Sequence, residues 1–141
     1  MIKAARYAIW VVIVHALVSA LHGAAHARLD VSLSQAQTLF VVVVITVAPL
    51  LAGLLLWRKQ HIAGALLFLC SMVGALVFGV YNHFVASSPD HVAHVAAASS
   101  GGWVAVFQVT AALLAVVEAV GCVVGGWMLK LYSGSRAGQP E

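Results

Sequence analysis

The chain has 141 residues, of which 63% are hydrophobic and only 8% charged. So little polar surface cannot coat a water-soluble globule, which excludes a soluble enzyme or binding domain and points to an integral membrane protein. The formal charge of +3 is explained by the positions of the basic residues relative to a bilayer and implies no nucleic-acid partner.

Four apolar stretches are each long enough, at ~20 residues, to cross the hydrocarbon core as a helix. They run from Ala4 to Ala25, Thr38 to Trp57, Ile62 to Phe84 and Trp103 to Leu129. Runs such as Phe40 to Ala48 lack the polar–apolar alternation of barrel strands. The expected fold is therefore all-α: a four-transmembrane-helix bundle over residues 1–132, followed by a disordered cytoplasmic tail over 133–141.

The first stretch follows Lys3 and Arg6 and carries His15, Ser19, His22 and His26 at offsets of four, seven and eleven. That spacing lays the four on one stripe of a helix, and a polar stripe in lipid must face protein or water. His22 and His26, one turn apart, can direct two imidazoles at one ion. A basic start, an apolar run and Ala25-His26-Ala27 also satisfy the pattern of a cleaved leader, although His15 interrupts the run.

The second stretch holds Pro49, which removes a backbone hydrogen bond and predicts a kink. A tight turn, Arg58 to His61, leads to the third stretch, which closes on Tyr81-Asn82-His83. His61 is expected to meet lipid headgroups beside Arg58 and Lys59. Cys70 and Cys122 read as small buried apolar residues, not as a disulfide.

The long connection from Val85 to Gly102 contains Ser87-Ser88-Pro89-Asp90, a favourable helix start. It predicts a short interfacial helix between the third and fourth spans, from Pro89 to about Ala98, with His91 and His94 on one face. In the fourth stretch Glu118 is a carboxylate in an apolar span, expensive in lipid and at a depth similar to His15. A His15–Glu118 contact is expected, acting as a proton relay or as a clamp between spans. Gln108, Ala111, Ala115 and Cys122 share its face. Gly121 and Gly125 form a small-x-x-x-small face suited to close helix contact, within the bundle or with another subunit.

Six of the seven Lys and Arg residues fall on one side of this layout and only Arg28 on the other. The positive-inside rule puts both termini in the cytoplasm, in a membrane of bacterial inner-membrane type. Five of the seven histidines then gather at the outer face: His22, His26, His83, His91 and His94, with Asp90 beside them. Imidazoles arriving from separate elements make a first shell for copper, iron or zinc, with Asp90 expected either to bind the ion directly or to fix one of the rings from behind. The expected function is an outward-facing polyhistidine metal site, in a redox enzyme or an enzyme subunit. Two alternatives stand beside it. One is a b-type haem electron-transfer subunit with His22 and His83 as axial ligands. The other is a metal or proton carrier, or an accessory subunit of a larger membrane complex or homo-oligomer.

Overall fold

A computed structural model of the chain describes residues 3–137. Among these, the chain is all-helical, without strands. Four helices are long and apolar enough to cross a membrane: α1 (Lys3–Arg28), α2 (Gln35–Trp57), α3 (His61–Val85) and a last one whose apolar part is Gly102–Ser133. A short helix, α4 (Val92–Ala98), stands before that last helix, α5 (Gly102–Ala137). α5 continues past the boundary at which the tail was expected to begin, and the remainder of that tail, 138–141, lies outside the described residues.

α2 begins three residues earlier than its apolar run. Ser34 accepts a hydrogen bond from the Gln37 backbone N–H while the Gln37 side chain accepts one from the Ser34 N–H, a capping box that satisfies two free donors. Pro49 is accommodated upstream, where Val41–Val47 widens to a π-helical path before the α-helix resumes at Ala48. Thr46 Oγ1 donates to the Val41 carbonyl across this wider turn, at 3.0 Å. α3 ends in a second π-helical turn, Tyr81–Val85, which turns Asn82 and His83 inward together. Inserted residues of this kind re-aim side chains and recur at functional sites.

α5 packs against both α1 and α3. α2 packs on α3 along much of its length, but on α1 chiefly through Ala48–Trp57. One end of the bundle is closed by small residues, Ala4, Ala5, Ala8, Ala52 and Ala65, around Leu56, Phe68, Met72 and Met128. Backbones approach closely there, as small residues at helix interfaces allow. Gly121 belongs to this packing: a Cβ on it would stand 2.6 Å from Met72 Cγ, and one on Gly125 would stand 3.0 Å from Leu69 Cβ. The small-residue face is thus spent within the bundle, against α3, and is not free to receive another subunit. The outward faces are apolar, with Trp10, Leu17, Trp57, Val77 and Val123 all exposed. His61 stacks on Tyr132, ring centroids 5.3 Å apart. Cys70 and Cys122 are both free thiols; Cys70 is exposed, not buried as expected.

Candidate metal centre

At the other end of the bundle three imidazoles meet. α1 supplies His22 and His26 from successive turns, and the π-helical end of α3 supplies His83. His22 Nε2 lies 3.2 Å from His83 Nε2 and 3.2 Å from His26 Nε2. The three ligand atoms all fall within 4.8 Å of one another, so the group can hold a metal ion. Two imidazole nitrogens bound at ~2.0–2.1 Å to one tetrahedral ion stand about 3.3–3.4 Å apart, close to the observed spacing.

The far side of each ring explains why the Nε2 atoms converge. His26 Nδ1–H donates to the Val31 carbonyl at 3.2 Å, and His83 Nδ1–H to the Asp90 carbonyl at 3.0 Å. Thr110 gives its hydroxyl proton to the Val106 carbonyl at 2.6 Å. Its oxygen is then an acceptor, which His22 Nδ1–H fills at 2.8 Å. With each Nδ1 carrying the proton, each Nε2 keeps its lone pair. Three lone pairs aimed at one region are what an electron-pair acceptor requires, and fixing the tautomer through the remote nitrogen is how metal-binding histidines are oriented.

Asp90 lies beside the three imidazoles rather than among them. Its carboxyl is buried, 3.2 Å from His26 Nε2 and 3.3 Å from His83 Nδ1. Burial pushes the carboxyl up, but the contacts with His26, through Nε2–H when that ring is protonated and no metal is bound, and with His83 Nδ1–H outweigh it and hold Asp90 at about 2, below its ordinary 3.8. Asp90 is therefore an anion at neutral pH, placed to offset the charge of a cation. Phe107 closes the other side, its ring 4.8 Å from that of His22 and 5.1 Å from that of His26.

His91 and His94 are not brought into this group. The short helix starts at Val92, later than its Ser-Pro signal, because His91 itself is the N-cap and accepts from the Ala93 N–H at 3.1 Å. His94 is exposed and donates to the Ser88 carbonyl at 2.8 Å. Asn82 also turns aside, accepting from the Gln37 side chain at 3.0 Å and so tying α2 to α3. Tyr81 is exposed.

Below the imidazoles, His15 and Glu118 form the expected contact, His15 Nε2 to Glu118 Oε1 at 3.2 Å, with both residues buried. Gln108 does not share in it, being exposed and donating to the Val92 carbonyl at 3.5 Å. Thr110 is the residue that sequence reasoning missed. Its one signal was a hydroxyl in an apolar span at the depth of the histidines, and helical threonines so often bond their own preceding turn that the signal is faint. A cavity of about 400 Å³ runs from the imidazoles to Glu118.

No family model, curated protein or solved structure matches the chain.

Proposed function

We propose that the chain is an integral membrane metalloprotein that holds one copper, iron or zinc ion on His22, His26 and His83 at the outer face of the membrane. The observation that carries this reading is the convergence of three imidazoles, with His22 Nε2 3.2 Å from both His26 Nε2 and His83 Nε2 and each ring fixed through Nδ1. Three neutral nitrogen donors without a thiolate suit any of the three metals. Three protein ligands also leave a coordination position open, the arrangement of catalytic rather than structural sites. Such an ion supplies Lewis acidity or, for copper and iron, one-electron chemistry. The chain's own part is to aim the imidazoles at one region, to set the Asp90 carboxylate beside them, and to shield them with Phe107.

Two rival readings have less support. A haem held by His22 and His83 would need room for its ring between the two imidazoles. Here His26 Nε2 comes within 3.2 Å of His22 Nε2, in the space a porphyrin would need. A carrier would need the polar path to continue, whereas beyond Glu118 the core is made of Ala8, Ala52, Phe68 and Met72.

The test is elemental analysis of detergent-purified protein prepared without metal-affinity resin. We expect close to one transition-metal ion per chain. No metal after growth in medium supplemented with all three would overturn the proposal. A reporter fused after Glu141 is expected to stay cytoplasmic, and labelling it from outside would reverse the orientation.

A further inference from the structure

The cavity holds two polar atoms that the metal reading does not use. Glu118 Oε2 and Ser19 Oγ are both buried, and among the described residues neither has a hydrogen-bond partner. Glu118 is 2% exposed, and both residues line the cavity. A buried carboxylate oxygen without a partner costs free energy in lipid, where water does not compensate it. His15 and Ser19 are one helical turn apart, about 6 Å, so Ser19 stands between the Glu118 contact and His22. The remaining wall is mostly apolar, including Val12, Val41, Ile45 and Leu114.

Size and access agree with a ligand site. About 400 Å³ lies within the ~300–1,000 Å³ usual for small-molecule sites, which are apolar with a few placed polar groups. α1 contacts α2 chiefly below Ala48, so the upper part of α2 stands away from α1. A gap between these two helices would open sideways, toward the surface that a bilayer would cover. The π-helical stretch Val41–Val47 forms part of that wall. Gly79 forms another part: a Cβ there would lie 3.7 Å from Glu118 Oε2 and 4.0 Å from His83 Cδ2. Its lack of a side chain keeps the passage between carboxylate and imidazole open.

We propose that this cavity binds a lipid-soluble alcohol or phenol, an apolar body bearing one hydroxyl, which enters from the bilayer and seats the hydroxyl between Ser19 and Glu118. A hydroxyl is selected because it donates to Glu118 Oε2 and accepts from Ser19 Oγ–H at once. A carboxylate would be repelled by Glu118, and a plain alkane would leave both atoms unpaired. The proposal rests on the metal reading only for what happens at the upper end of the cavity, and metal content is measured in the same samples.

The probe is a diazirine-bearing aliphatic alcohol, photolysed with the protein in lipid nanodiscs, with labelled residues mapped by mass spectrometry. Labelling is expected at cavity residues, Glu118 foremost, with octan-1-ol displacing the probe at least tenfold more effectively than octane. Gly79→Leu is expected to lower cavity labelling at least fivefold. Ser19→Ala, a milder change, should shrink the preference for alcohol over alkane severalfold. Labels confined to outward residues such as Leu17 and Val123 would overturn the proposal. Equal competition by octane, or a preference unmoved by Ser19→Ala, would do the same. Cavity labelling in protein devoid of metal would retain this site and sink the metal reading; a metal-loaded protein without cavity labelling would do the reverse.

Discussion

The two ends of this bundle bury opposite things. At one end, Ala4, Ala5, Ala8, Ala52 and Ala65 let the helices close around Phe68, Met72 and Met128. At the other, the apolar cluster is only Ala25, Val95 and Phe107, with a few partly buried neighbours. The interior there is taken up by imidazoles, carboxylates and a cavity. α1 spans both regimes, burying alanines in its first turns and His15 and His22 further on. Dense contact at one end holds the helices in register, so that the other end can keep lone pairs and open space without collapsing around them.

The sharpest way to break that comparison is to empty the polar end. Replacing His22 and His83 together by alanine is expected to lower bound metal from about one ion per chain to below a tenth. Helix content by circular dichroism and the elution volume in detergent should stay unchanged. Full metal occupancy in this variant would remove the site assignment. The converse change is Phe68→Ala in the dense end, expected to cost about 3 kcal/mol through the void it leaves. It should lower Tm while the metal stoichiometry of the folded protein holds. Loss of metal below the new Tm would show that the two ends are not separable.

Smaller effects belong to the residues behind the ligands. Asp90→Asn or Thr110→Val is expected to weaken metal affinity 10–100-fold, the usual range for partners of metal-bound histidines. Competition titration with a chelator of known affinity measures it. Acid should act in the same direction. Metal competes with protons for imidazole nitrogen, so affinity is expected to fall as pH is lowered. An affinity that does not change from pH 8 to 5 would count against histidine ligation.

The four long helices were legible because each apolar run is self-contained: its length and composition fix a helix whatever its neighbours do. The His22–His26 pair and the stripe through His15 were legible for the same reason, since helical spacing is local. The His15–Glu118 contact was legible because two polar residues at one level of an otherwise apolar bundle have few other partners. The shape of the centre was not. It depends on a π-helical turn that re-aims His83, on backbone carbonyls at Val31 and Asp90 that belong to no side-chain pattern, and on Thr110 two helices away. The cavity was equally hidden, because a void is a relation among several walls.

The weakest expected effect is the most discriminating for the composition of the centre. By residue type and spacing, His91 and His94 are as good a pair of ligands as His22 and His26. The fold spends them elsewhere, one as a helix cap and the other on the Ser88 carbonyl at the surface. Replacing both by alanine therefore removes a cap worth about 1 kcal/mol of local helix stability and leaves the three converging nitrogens in place. Metal stoichiometry should be unchanged and affinity should move by less than about threefold, since α4 meets the centre through the neighbouring Asp90 and through Val95 against Phe107, neither of which is changed. A drop of tenfold or more would mean that the short helix swings its imidazoles inward once the ion is bound. The centre would then be a five-histidine site that closes on its metal rather than a three-histidine site built before it arrives.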